Sequence, residues 1–571
     1  MSVECFPITV LPHVSPLYRD FLALADTPGD ASIRRWYGAA PFTSGARRPR
    51  SSSSEAENQL PIHWTASGEQ AARTPQHANA LADLLEEQAA LFHASAAAIA
   101  NIDKLRSGAR AVVTGQQVVL FGGPLLTFLK AATAIARARE ASAATGIPHV
   151  PIFWMATEDH DLAEVDQVSL LTKFSVETLH ANLKVARALP VGGVSLHPKF
   201  ASGFEAVMDH AAELLEHTSI TEWLRECYTS QQGEPPTLAL AFGRFIAKVF
   251  ADQGLIVMDA STRGFHALGA STLRAAVEHA AELRQQLLAR SQELVQAGYH
   301  AQVLVSDDSS LLFLLDETTG ERVALKFSLS PEGDPQWKAG SRTFTSAELL
   351  AILDSTPERL SPNALLRPVF QDTLLPTAAY IGGPSEIAYF AQTSLLSQFI
   401  LGRITPVLPR LSATLIEPAI AKIMDKDEVQ LPDAMTTPEA LAQRLGARAM
   451  PIELKRRLAA VGNALEPELD ALTQYLSGID PTLGRAATVS SSKMQYQMNR
   501  LRRMAATFEL QKEASLRKHA DAITLNVFPN GHPQERVIAG VWFLSRYGEP
   551  LIDRLIQAAS NQCPGHVVIR L

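Results

Sequence analysis

Three polar loops hold the residue types that could do chemistry. Each follows an apolar run, and in open α/β sheets ligands bind outside the carboxyl ends of the strands. The first is Thr114-Gly115-Gln116-Gln117, followed by Gly122-Gly123-Pro124 and by Lys130 almost two helical turns later. Glycines let backbone N–H groups approach a ligand, and a helix N-terminus favours an anion. A carboxylate or phosphate site at Gly122 and Gly123 is expected, with Gln116 and Gln117 on substrate and Lys130 adding charge. The pattern is neither a Walker loop nor GxGxxG. The second loop is Glu158-Asp159-His160-Asp161, directly after PIFWMAT, with Glu164 one turn beyond. His160 is a candidate acid or base near neutral pH, oriented by Asp159 or Asp161. His160, Asp161 and Glu164 could instead hold a metal, although their spacing matches no zinc motif. A helix cap with acidic first-turn residues also accounts for Asp161 and Glu164. The third loop is Tyr380-Ile381-Gly382-Gly383-Pro384-Ser385-Glu386, with Tyr389 on the same helical face as Glu386. There Gly382 and Gly383 repeat the first design, and Glu386 either caps its helix or holds a ligand ammonium. Asn363, Arg367 and Arg410 are candidate partners.

The elements that must position these loops alternate. Arg110–Thr114 is a β-branched strand, Pro124–Thr145 a helix and His149–Met155 a buried strand, which together make a βαβ unit and imply a parallel sheet. Gly254–Asp259 and Pro376–Ile381 read as further buried strands. Thr74–Leu105 and Gly264–Ala297 read as helices and Ala301–Ser306 as a strand. Beyond about Glu417 the strand signals vanish. Apolar residues at three- and four-residue spacing through Ile452–Leu476 and Met494–Leu516 predict two long antiparallel helices. A helix from about Gln534 to Ala559 and a terminal strand, His566–Leu571, follow. The fold class expected is α/β, a Rossmann-like parallel-sheet core with inserted segments plus a helical antiparallel coiled-coil domain. The divisions fall at 1–415, 416–525 and 526–571, the last returning to the core.

Composition bounds the function. The chain has 571 residues, 46% of them hydrophobic, which is ample for a core, and 51 basic against 59 acidic residues give −8. That charge makes nucleic acid an unsuitable partner. The 3 cysteines (Cys5, Cys227, Cys563), far apart and odd in number, argue against a disulfide framework and for a reducing cytosol. None of them reads as catalytic. Residues 111–129 are uncharged, but paired glutamines and Gly-Gly-Pro interrupt them, so no membrane span is expected. The serine-rich run at 43–58, with Arg47, Arg48 and Arg50, reads as a solvated loop.

Four separated blocks, TGQQ…GGPLLTFLKA, PIFWMATEDHD, SPNALLRPVFQDTLLPTAAYIGGPSEIAYF and FPNGHPQERV, carry a resemblance to the BshC family, the cysteine ligases of bacillithiol biosynthesis. It spans nearly the whole chain. The resemblance implies a Rossmann-like core with connecting insertions and a coiled coil used for dimerisation. It also implies a last-step reaction joining L-cysteine to glucosamine-malate. ATP or ADP is suspected on the same ground, and Asn530, Gln534, Glu535 and Arg536 of the last block are candidates for a nucleotide or second anion site. The metal requirement is open. Two other readings compete: a non-catalytic nucleotide-binding scaffold dimer, and a metal-dependent hydrolase. The Val118-Val119 pair and the serines at 51–54 depart from the family's usual pattern without touching the polar groups.

Overall fold

A computed structural model describes residues 3–24, 31–37, 64, 71, 73–185, 188–229, 236–561 and 563–571. The serine-rich run and its three arginines lie outside them.

Five strands form an all-parallel sheet in the spatial order Val407–Pro409, Thr377–Gly382, Arg110–Gln117, His149–Ala156, Ile256–Asp259. Numbered in chain order and read from the Ile256–Asp259 edge this is 3-2-1-4-5, a doubly wound arrangement whose direction reverses between the Arg110–Gln117 and Thr377–Gly382 strands. Both faces are covered, so the strands are apolar throughout. Along His149–Ala156 the side chains alternate, Ile152 and Trp154 entering one core cluster and Phe153 and Met155 the other. The Leu126–Thr145 helix is buried over most of its length, and Gly146 ends it at φ 72°. The uncharged stretch thus forms a buried strand, a turn and a helix start. Among the described residues no helix is long and apolar enough to cross a membrane.

Two insertions interrupt the sheet. A two-stranded ribbon, Gln167–Leu171 with Val176–His180, follows the second strand. An antiparallel five-stranded sheet built from Ser309–Leu315 to Leu360–Pro362 precedes Thr377–Gly382. The terminal strand His566–Arg570 pairs antiparallel with Val3–Phe6 and parallel with Ala413–Ile416, in a separate three-stranded sheet. The helices Ile452–Ile479 and Pro481–Lys512 pack against each other as the expected long pair, capped between them by Asp480. The fold is therefore α/β with a Rossmann-like core and a helical coiled-coil region.

Several local expectations are corrected. Ala301–Ser306 is not a strand, because the side chain of Gln392 takes both backbone groups of Val303, at 3.0 and 2.8 Å, and satisfies them without a ladder. The long helix after Gly264 is three helices, Arg263–Leu268, Ala270–Glu278 and Ala280–Gln296. Its first break falls at Gly269, where a Cβ would stand 2.4 Å from the Phe370 ring. Thr74–Leu105 divides into Pro75–Leu91 and Ala96–Arg106, separated by His93 in the left-handed region at φ 53°. Pro124 does not open its helix. It bridges to Ala539, with Leu125 N donating to Ile538 O at 2.8 Å and Gly540 N to Gly123 O at 3.0 Å. The same bridge separates Gln534–Val537 from Gly540–Tyr547 in the helix expected from Gln534, and Gly548, at φ 65°, separates that from Pro550–Ser560. The cysteine argument also fails: Cys5 and Cys563 form a disulfide with Cα atoms 5.9 Å apart, because the antiparallel pairing of the two terminal strands brings the chain ends together. Cys227 is free and buried.

Candidate active site

The topological reversal opens a cleft of about 400 Å³ at the carboxyl ends of the Arg110–Gln117 and Thr377–Gly382 strands. Each strand contributes its exit loop. Gln116 and Gln117 come from the first, Gly383 and Glu386 from the third, and Asp159 and Glu164 from the second, so all three loops converge. Lys130, Arg367, Tyr389, Arg410 and Arg536 complete its charged and hydroxyl wall.

The floor is a saturated polar network. Lys130 is buried, and its three ammonium protons meet Gly115 O at 2.6 Å, Gln116 Oε1 at 2.9 Å and Glu386 Oε2 at 2.5 Å. Burial lowers its pKa, with Glu386 opposing. Glu386 also accepts from Gly383 N at 2.7 Å and from the Tyr380 hydroxyl at 2.5 Å. Burial works against its ionisation, but Lys130 and the Gly383 N–H outweigh it and hold the carboxyl below its usual range. The helix N-terminus at Pro384 is thus filled by the protein's own carboxylate, so neither Lys130 nor the Gly383 N–H is free for a ligand phosphate. Arg410 is likewise committed, in a bidentate pair with Glu535 and to Leu411 O.

Removing these pairs leaves a simple charge pattern. Arg367 donates to the Tyr389 hydroxyl at 2.7 Å and reaches the Tyr380 hydroxyl at 3.4 Å. Burial pushes both phenols up, Tyr389 to about 12, so they stay protonated. Among the described residues Arg367 and Arg536 meet no carboxylate in ion-pair contact, and they are the cleft's uncompensated cations. Asp159 and Glu164 meet no lysine or arginine in ion-pair contact either. Gln117 Nε2 donates to Asp159 Oδ2 at 2.7 Å, while Gln117 Oε1 is buried with no partner. Partial burial, with Asp161 and Asp159 nearby, raises the Glu164 pKa above the ordinary carboxylate value. The cleft is therefore bipolar, its lining holding two unpaired cations together with carboxylates and an unmatched acceptor.

Other expected site residues lie elsewhere. Glu158 turns away to the buried His266, 3.0 Å from Nε2. His160 does not line the cleft: its side chain is 42% exposed, 3.8 Å from Asp159 and against the Phe313 ring. Asp161 caps the following helix, accepting from Glu164 N at 3.3 Å. Asn363 accepts from Leu365 N and Leu366 N, both at 3.0 Å, and is a turn-former. Gly122 backs onto Phe245, where a Cβ would come within 2.8 Å, and Gly382 packs under Glu386, so neither glycine cradles a ligand. Gln534 is spent on the backbone of Leu415 and Asn526. Glu535 is the buried partner of Arg410, and of the four residues expected at an anion site only Asn530 and Arg536 face open space, in an adjoining compartment. Among the described residues no three His, Cys, Asp or Glu side chains are grouped to hold a metal. Trp154 and Ser385 also line the cleft. Trp154 was legible only as core, and Ser385 only as part of a helix start.

A doubly wound sheet with a charged cleft at its reversal and an appended coiled coil defines a Rossmann-like small-molecule protein. The family model described as "Bacillithiol biosynthesis BshC, N-terminal Rossmann-like domain" matches residues 56–411, and that described as "Bacillithiol biosynthesis BshC, C-terminal coiled-coil domain" matches residues 413–571. The chain belongs to the BshC family of bacillithiol biosynthesis. A protein of Koribacter versatilis named "Putative cysteine ligase BshC" is 40% identical over 576 residues, 100% of each chain. One of the same name from Solibacter usitatus is 35% identical, with 81% of this chain and 84% of that one covered. Another from Geobacillus kaustophilus is 29% identical over 86% and 90%.

Proposed function

We propose that this chain is a ligase that forms the amide bond between the carboxyl group of L-cysteine and the amine of glucosamine-malate. The bipolar cleft carries the proposal. Each substrate presents an ammonium and at least one carboxylate, and Asp159, Glu164, Arg367 and Arg536 line one cavity. Arg367 and Arg536 anchor carboxylates, while Gln116 and Gln117 orient the substrates. The attacking ammonium must lose a proton before its lone pair forms the C–N bond. Glu164 is suited to accept it, because its raised pKa brings a carboxylate nearer to the working range of a general base. His160, beside the cleft-lining Asp159, is the other candidate.

A carboxylate accepts an amine only after activation, so ATP is the expected co-substrate. Of the residues expected at a nucleotide site, Gln534 and Glu535 are committed within the protein, and at the glycine loop Lys130 and the Gly383 N–H are both occupied by Glu386. The glycine loop at Gly383 is therefore closed to a phosphate. Homodimerisation through the coiled coil accompanies this function, supported by the exposed Val461, Leu472, Tyr475, Met494, Leu501 and Phe508 on the long helices. A cytoplasmic location suits an enzyme acting on free cysteine.

The purified chain, given L-cysteine, glucosamine-malate and ATP with Mg²⁺, is expected to yield the thiol product by mass spectrometry. In a deletion strain glucosamine-malate should accumulate and bacillithiol vanish. Unchanged thiols would overturn the assignment. Glu164→Gln and His160→Ala separate the two bases: the true one costs about 10²–10⁴ in rate when removed.

A further inference from the structure

Beside the first compartment lies a second of about 360 Å³, which shares Gln116, Leu126, Glu164 and Arg536 with it. Its construction differs. Where the first is lined by paired charges, the second has Val119 and Val537 among its lining residues, with Leu126 shared between the two. The lining also holds side chains that the fold does not use. Among the described residues Gln167, Asn530, His532 and Arg536 form no side-chain hydrogen bond or ion pair, although each lines the space. Their neighbours Gln534 and Glu535 are fully committed within the protein. The loop presenting Asn530 is shaped by its backbone, with His532 N donating to Pro529 O at 3.0 Å and Asn530 in the left-handed region at φ 54°. Asparagine is among the few side chains that tolerate that conformation. The start of the inserted ribbon at Gln167 also lines the space.

Neutral amides and an imidazole beside apolar side chains match a polyhydroxylated ring, whose hydroxyls need two-way hydrogen bonding and whose C–H face needs an apolar bed. A triphosphate would need more cations than the single guanidinium of Arg536. We infer that the second compartment is the seat of the amino-sugar substrate. Its ring lies between Gln167 and Asn530, and its ammonium is directed to Glu164, where the two compartments meet. L-Cysteine then takes the first compartment. The inference rests on the ligase function proposed above, and the inserted ribbon becomes part of the specificity apparatus.

The test is calorimetric titration of the full-length chain with glucosamine-malate, L-cysteine and ADP in turn, for wild type and for Gln167→Ala combined with Asn530→Gly. Glycine keeps the left-handed turn, and a thermal melt checks folding. Each lost neutral hydrogen bond weakens binding about three- to tenfold, so the double variant should bind glucosamine-malate at least about tenfold more weakly. Affinity for L-cysteine should stay within about twofold of wild type. Unchanged glucosamine-malate binding in the double variant overturns the inference, as does loss of ADP binding in its place, or wild type that binds no amino sugar. Ribbon-only variants, Gln167→Ala and Gln167→Glu, repeat the test should the double variant melt early. Turnover decides the ligase function separately: thiol formation with an unmoved KM for the amino sugar sinks only the second compartment. Amino-sugar binding lost in the variant, with no thiol made by wild type, sinks only the ligase.

Discussion

Arg410 and Glu535, 125 residues apart in the chain, meet as a bidentate pair at 2.7 and 3.1 Å. Both side chains are 2% exposed. Glu535 accepts further from Ser412 Oγ and from Ala413 N at 2.8 Å, and Ser412 in turn meets His566 Nδ1 at 2.8 Å. One network therefore ties the floor of the cleft, the Ala413–Ile416 strand and the terminal strand together. Burial alone would raise the Glu535 pKa, but Arg410 outweighs it and pulls it down to about 2.

Removing one partner strands the other. Glu535→Ala should destabilise the chain by about 3–5 kcal/mol in urea unfolding, because Arg410 is left buried and unpaired. Replacing both, Arg410→Met with Glu535→Leu, should recover much of that loss. Equal losses in the single and double variants would show that the pair is not coupled.

Acid should weaken this network in two windows. Burial lowers the His566 pKa from 6.5 to about 4. The unfolded imidazole takes its proton first, so this contribution is full above pH 6.5 and is lost as pH falls to about 4. Glu535 follows: its contribution is present above 4.5 and lost as pH falls toward 2. His566→Gln should erase the upper window. Its stability deficit against wild type, followed from about pH 8 to about pH 4, should shrink by up to about 3 kcal/mol. A constant deficit would refute the buried neutral histidine.

The Cys5–Cys563 bridge should be chemically visible. Denatured, unreduced protein should carry one titratable thiol, Cys227, and reduced protein three. Cys5→Ser should lower stability by about 2–4 kcal/mol under oxidising conditions and have no such effect in reductant.

The long helices expose apolar side chains that water penalises. Light scattering should report a homodimer, and Leu501→Glu with Phe508→Glu should convert it to monomer, since both residues are more than half exposed, at 52% and 62%. A wild-type monomer at micromolar concentration would refute the interface.

The strands at 110, 149, 256, 377 and 566, the coiled-coil pair and the three polar loops are all legible in the chain. Periodicity, β-branching and glycine-proline punctuation act over a few residues, within one element. The α/β class follows from their alternation. What sequence could not supply is who neutralises whom. Lys130 and Arg410 read as ligand-binding cations, and only the packed chain gives them Glu386 and Glu535, leaving Arg367 and Arg536 as the cleft's free charges. Local propensity at Val303 favours a strand, yet a distant glutamine satisfies its backbone first. The reversal of strand order that joins the three loops is non-local in the same way. It depends on which surfaces gain most by packing, a free-energy difference summed over the whole fold and written in no single segment.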